Sequence, residues 1–181
     1  YPQFKMGCML AYGQSYAMTC DPDDQLANQQ SMNEHNWYCG DVHVRGEYPY
    51  FAKRLWKELG VEIRMEPEDA ETLKKGVVDF YTFSYYMTSC VTTHKDVEGI
   101  GGNLLGGVKN PYLKASDWGW QIDPKGLRYA LNEIYGRYRI PLMVVENGLG
   151  AYDVKGEDGK VHDSYRIDYL RAHIAQMAEA V

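Results

Sequence analysis

Apolar positions along the chain change their spacing several times, and each change marks an element. Residues 4–10 (FKMGCML) form a short apolar run that fits a strand. Asp21 followed by Pro22 pairs a capping side chain with proline at the first helical position, so a helix begins there. After Pro49, Phe51, Leu55 and Leu59 recur every four residues, and Gly60 stands where a C-terminal cap belongs, which predicts a second helix. Residues 67–75 fit a short third helix stopped by Gly76. Residues 78–87 (VDFYTFSYYM) are rich in β-branched and aromatic side chains and lack Gly and Pro, so they read as a strand. Residues 88–121 show no clear period and read as a long loop. Asp123 and Pro124 repeat the capping signature, and Leu127, Leu131, Ile134 and Tyr138 mark the buried stripe of the helix that follows. Pro141 closes the connection to residues 142–145, a strand apolar on both faces, which suits a parallel sheet covered by helices. Beyond a Gly-containing loop, a last helix begins near Asp163 and carries Ile167, Leu170, Ile174, Met177 and Val181 on one face.

The order is strand, helices, strand, long loop, helix, strand, loop, helix. That alternation predicts an α/β fold with a parallel sheet. Three strands are too few for a complete doubly wound sheet or a closed barrel. The apolar stripe of the last helix still runs at Val181 without a cap, so residues 1–181 read as one piece of a longer α/β domain. If sheet order follows chain order, the first and last strands are its edges.

Composition narrows the choice of partners. The 181 residues carry 25 acidic and 19 basic side chains, a net charge of −6, with no Lys/Arg run to coat a phosphate backbone. Nucleic acid is therefore not the expected partner. The longest apolar stretches fall far short of the roughly 18 residues that a membrane helix needs, so no membrane partner is expected either. The four cysteines, Cys8, Cys20, Cys39 and Cys90, are widely spaced and read as reduced thiols of a cytoplasmic protein. Tyrosine supplies 16 of the aromatic residues. Its flat ring and hydroxyl suit polar, ring-shaped ligands such as sugars, and suit the edge of a core equally.

The sharpest candidate for chemistry is Glu146. It follows the apolar residues 142–145 and precedes Asn147 and Gly148, which places a carboxylate at the C-terminal end of a buried strand. In parallel α/β folds that rim carries the catalytic groups. The competing reading is a Glu that caps the next loop or pairs with a core Arg. Tyr85 and Tyr86 end the preceding strand on the same rim. Strand neighbours alternate, so one of the two points inward, either to orient Glu146 or as aromatic filling. Asp117, Trp118, Gly119 and Trp120 precede a helix; the two Trp rings are either a platform for a sugar or anchors for the loop. His35, Cys39 and His43 have a spacing that resembles a zinc site but lack a fourth ligand, and surface side chains where the chain leaves a helix are the expectation. The glycines at 99, 101, 102, 106 and 107 do not complete a phosphate-binding pattern and read as a flexible loop.

Taken together, the segments FKMGCML (4–10), DVHVRGEYP (41–49), VDFYTFSYYMTS (78–89), SDWGWQIDPKGLRYAL (116–131), PLMVVENGLGA (141–151) and YRIDYLRAHI (165–174) resemble the family 1 glycoside hydrolases. These are retaining β-glycosidases with a (β/α)8 TIM barrel, and the likeness is greatest to the bacterial 6-phospho-β-glucosidases. The resemblance covers nearly the whole chain and implies the fifth to seventh β/α units of the barrel.

It also implies roles. Glu146 matches the catalytic nucleophile of the E-N-G motif. Tyr86 matches the second Tyr of an N-Y-Y segment, whose hydroxyl contacts the nucleophile. Ser84 stands where many β-glycosidases have Asn, as is usual in the phospho-β-glucosidase subgroup, and Trp120 matches the Trp that lines the aglycone side; both are implied to bind substrate. Tyr81 and Thr82 depart from the more usual Ile-Gly pair, a local packing difference. The family's acid/base Glu lies in an N-E-P or N-E-I motif at the end of the fourth strand; the chain is read as lacking that motif, so the acid/base residue is expected outside it. The implied substrate is a phosphorylated β-glucoside, hydrolysed through a glycosyl-enzyme on Glu146 with no metal or organic cofactor. The alternatives are a plain β-glucosidase or β-galactosidase of the same family, or a non-catalytic sugar-binding or interaction domain. On its own the chain is expected to be inactive, for want of the acid/base carboxyl, and to self-associate through its exposed edges.

Overall fold

The structure is a computed structural model that describes residues 1–100 and 106–181. Three parallel strands form its main sheet: β1 (Gly7–Leu10), β3 (Phe80–Tyr85) and β5 (Leu142–Asn147), in the order β1-β3-β5. Sheet order follows chain order, so β1 and β5 are its edges. The helices are α1 (Pro22–Met32), α2 (Tyr38–Arg45), α3 (Ala52–Leu59), α4 (Asp69–Lys75), α5 (Pro124–Tyr138) and α6 (Ser164–Ala178). Strands in register with helices between them make a partial (β/α)8 barrel.

Local chemistry sets the boundaries. The Asp21 carboxylate accepts from the Asp23 amide at the start of α1, and the Asp123 carboxylate accepts from the Gly126 amide at the start of α5. Gly60 ends α3 in the left-handed conformation, with φ of 65°. The pleat of β3 sends Tyr81, Phe83 and Tyr85 to one face, where they are 0%, 0% and 2% exposed. They join Leu127, Ala130, Ile134 and Tyr138 of α5, together with Tyr12, Met32 and Trp37, in one core cluster. Each such aromatic contributes roughly 1.5–3 kcal/mol by burial. Asp41, itself buried, ties α2 to α5 by accepting two bonds from Arg137, at 2.9 and 2.7 Å, and one from the Tyr138 hydroxyl at 2.9 Å.

Four features depart from the sequence reading. Two further short strands exist, β2 (Ser15–Ala17) and β4 (Ser89–Val91), paired in parallel as a second sheet. Each has three residues, too few to show a period, and β4 lies in the stretch read as loop. Helix α1 does not end before the His/Cys cluster: a π turn (Asn33–Trp37) carries the chain directly into α2. His35, Cys39 and His43 thus lie within helical chain, all exposed, and among the described residues no three His, Cys, Asp or Glu side chains gather as metal ligands. Strand β5 is covered on one face only, and Met143 on the other face is 54% exposed. The expected face of α6 also points outward. Ile167, Leu170, Ile174, Met177 and Val181 are exposed, while the helix buries Tyr169 and His173 instead. The Gly-rich loop falls partly on residues 101–105, outside the described residues; on either side of them Gly99 pairs with Val108.

Candidate active site

The position of Glu146 depends on one irregularity in the sheet. Phe83 of β3 is level with Val144 of β5, but Ser84 is level with Glu146, so β5 holds one extra residue, Val145, at this point. In an unbroken pleat Glu146 would share the face of Leu142 and Val144, toward the helices. The bulge turns it to the opposite face, beside Ser84.

There it meets two hydroxyls. Ser84 Oγ donates to Glu146 Oε2 at 2.6 Å, and Tyr86 Oη donates to the same oxygen at 2.8 Å. Both bonds favour the ionised form, Ser84's first and Tyr86's second, and together they hold the carboxyl below its ordinary range against a small opposing effect of burial. In return, the bond to Glu146, followed by burial, pushes the Tyr86 phenol up. Of the tyrosine pair, Tyr86 is therefore the one on the Glu146 side. Tyr85 points into the core, where its hydroxyl donates to the Asp123 carbonyl at 2.6 Å.

Trp120 lies beside the pair, with its ring 5.5 Å from that of Tyr86 in an edge-on arrangement. Trp118 has the other role foreseen for this loop, that of an anchor. It packs over Gly150, where an added Cβ would lie 2.4 Å from its ring, and it meets Trp120 at 6.0 Å and Tyr152 at 6.1 Å. A cleft of about 380 Å³ opens in front of Glu146, lined by Ser84, Tyr86 and Trp120 together with Met9, Tyr12, Gln14 and Met87. Four of the expected site residues thus converge on one opening.

The segment from Ala11 to Gln14 on the far wall was invisible in the sequence pattern, because it has no period. Two side chains hold it. Tyr12 donates its hydroxyl to Gln14 Oε1 at 2.7 Å. Asn36, aimed by the π turn, accepts from the Gly13 amide and donates to the Gly13 carbonyl, both at 2.9 Å. The π turn that aims Asn36 gave no signal either, since a helical turn of one extra residue leaves no mark in side-chain spacing.

Among the described residues Glu146 is the one carboxylate lining the cleft. Asp123 is buried at the α5 cap, taking the Tyr16 and Thr88 hydroxyls at 2.8 Å each. Asp153 is paired with Arg166 at 2.5 Å. Asn132, Glu133 and Ile134 do spell N-E-I, but in the middle of α5, with Glu133 exposed and Ile134 in the core, remote in kind from a strand end.

The chain is similar to known proteins over its whole length. The profile of glycosyl hydrolase family 1 matches residues 1–181. A 6-phospho-beta-glucosidase of Clostridium longisporum is 52% identical over 99% of this chain and 39% of its own length. An aryl-phospho-beta-D-glucosidase of Bacillus subtilis is 50% identical over 99% of this chain and 38% of its own. The chain thus spans about two fifths of the length of the curated relatives it matches. Among solved structures, a beta-glucosidase from Thermotoga maritima in complex with glucoimidazole superposes with a TM-score of 0.78 at 27% identity, over 97% of this chain and 38% of that one. A profile matched from end to end and a barrel segment that superposes on a beta-glucosidase lead to one statement: the chain belongs to glycosyl hydrolase family 1.

Proposed function

We propose that this chain supplies the nucleophile side of a retaining β-glycosidase acting on 6-phospho-β-glucosides. The observation that carries the reading is the Glu146 carboxylate at a strand end, fixed through one oxygen by two neutral hydroxyls. Oε1, which neither hydroxyl takes, is the oxygen offered to the anomeric carbon. It forms the glycosyl-enzyme bond as the bond to the aglycone oxygen breaks, and a second carboxyl gives that oxygen its proton. The same carboxyl then takes a proton from water, which displaces Glu146. A retaining enzyme needs the two carboxyls about 5–5.5 Å apart. On this reading the second comes from outside these 181 residues, and the chain alone does not hydrolyse glycosides. Tyr86 orients the nucleophile, Ser84 holds it beside the substrate, and Trp120 flanks the aglycone.

The phosphorylated substrate is inferred from the names of the relatives at about 50% identity. The two-carboxylate chemistry calls for no metal or organic cofactor. The cytoplasm, where reduced thiols and sugar phosphates persist, is the proposed location. Nucleic acid and membrane are not partners on this reading; no helix among the described residues is long and apolar enough to cross a membrane.

The test completes the barrel with the remaining segments of the Clostridium longisporum relative and assays p-nitrophenyl-β-glucoside 6-phosphate. Hydrolysis with retained configuration is expected. Glu146→Ala should lower kcat by several orders of magnitude, partly restored by azide. Near-normal activity of Glu146→Ala overturns the assignment, and preference for the unphosphorylated glucoside turns the reading to a plain β-glucosidase.

A further inference from the structure

The Glu146–Tyr86 pair is closed from behind by a second set of bonds. The last rung of the β3–β5 ladder joins Tyr85 to Asn147. Tyr86 lies one residue past that rung, so no strand partner holds it. Two side chains take over the carbonyls there. Asn147 Nδ2 donates to the Tyr85 carbonyl at 2.8 Å and to Tyr169 Oη at 3.2 Å. Tyr169 Oη donates in turn to the Tyr86 carbonyl at 2.6 Å. Since Asn147 is bonded to Glu146, the path Glu146, Asn147, Tyr169, Tyr86 and back to Glu146 is a closed ring with three hydrogen bonds.

Tyr169 is suited to that place. It is 2% exposed, and burial holds its phenol protonated far above neutral pH, so it remains a donor. One turn further along α6, His173 stacks on its ring, with centroids 3.8 Å apart, and donates Nδ1–H to the Tyr169 carbonyl at 2.7 Å. Burial lowers the basicity of His173, so the stack is neutral. The ring of Tyr169 is fixed by this packing; its hydroxyl alone reaches the site.

We infer that Tyr169 is a positioning residue whose hydroxyl fixes the Tyr86 backbone relative to β5 and thereby keeps the Tyr86 phenol on Glu146. Its catalytic meaning rests on Glu146 being the nucleophile, but the geometric claim is testable in the chain as it is. The experiment follows the Glu146 side-chain carboxyl by carbon-13 NMR across the acid range, in the wild-type chain and in Tyr86→Phe, Tyr169→Phe, Asn147→Ser and Ile134→Val, with amide fingerprints confirming each fold. Tyr86→Phe is expected to raise the titration midpoint. Tyr169→Phe keeps the ring and its stack, and should raise the midpoint by at least half as much. Asn147→Ser opens the same ring at another corner and should move the midpoint the same way, which keeps the inference testable should Tyr169→Phe not fold. Ile134→Val loosens the core without touching the ring and should leave the midpoint in place. A wild-type midpoint in folded Tyr169→Phe overturns the inference, as does an equal rise in Ile134→Val. No rise in Tyr86→Phe overturns the Tyr86–Glu146 bond itself, and with it the orienting role given to Tyr86.

Discussion

A carboxylate that attacks carbon has to be ionised and held still, and at Glu146 neutral hydroxyls meet both needs. A neighbouring cation would secure the charge more strongly but would also draw the electron pair back from the electrophile. Ser84 and Tyr86 lower the carboxyl's proton affinity while leaving its second oxygen to react. Removing either donor weakens the ionised form, so the pKa rises and a smaller fraction is ionised at a given acidic pH. In the completed enzyme the acid limb of kcat/KM should therefore move to higher pH in both Ser84→Ala and Tyr86→Phe, and further in Ser84→Ala, whose bond has the larger effect. Acid limbs that stay in place would mean that another group sets them. Glu146 was legible in the sequence because a carboxylate straight after four apolar residues of a strand is costly to place unless polar groups wait for it at the strand end. The tyrosine pair was half legible: alternation says that one of them faces the cleft, and only the structure says which.

Helices with Asp-Pro starts and Gly stops were legible because capping is local chemistry, written within four residues of the boundary. What depends on long-range pairing was not. Strands β2 and β4 have three residues each and exist only because they meet each other across more than seventy residues of chain. The outward face of α6 was misread for a related reason: its aliphatic stripe looks like a core face, yet the contacts that the helix makes run through Tyr169 and His173. Gly126, in the first turn of α5, shows how close these elements come. A Cβ there would lie 2.3 Å from Tyr85 Oη, 2.5 Å from Thr88 Cγ2 and 2.6 Å from Asp123 Oδ2. Ala in place of Gly favours a helix by about 1 kcal/mol. Here the crowding should win, and Gly126→Ala should lose about 1–3 kcal/mol in urea denaturation. A gain in stability would show that the Tyr85–Thr88 corner yields easily.

Seen whole, the molecule has two apolar surfaces that nothing within the described residues covers. One is the sheet face carrying Met9 and Met143, 53% and 54% exposed; the other is the α6 stripe, with Ile174 at 60%. The main sheet also ends in two parallel edges, β1 and β5. Open edges and broad apolar patches seek partners. In solution the 181-residue chain should therefore associate with itself, and light scattering over a dilution series should show a mass that rises with concentration. A monomer at every concentration, without binding of an apolar dye, would show that these surfaces are less adhesive than their composition suggests.

The bulge in β5 has a consequence for which sequences can serve this strand. Glu146 reaches the cleft because the bulge takes up the one residue, Val145, that separates it from Val144, and the identity of residue 145 matters little to that. Val145→Thr should leave the Glu146 carboxyl where it is. Deleting Val145 should restore an even pleat in which Glu146 follows Val144 directly and still stands level with Ser84 on the cleft face. The deletion should therefore keep the carboxyl beside Ser84 and Tyr86, and the same carboxyl NMR should find its midpoint near the wild-type one; a strongly raised midpoint would show that the carboxyl has left them. The bulge thus works as slack: a strand one codon shorter presents the same carboxyl, and it is the pairing with Ser84, not the reading length, that keeps the catalytic address.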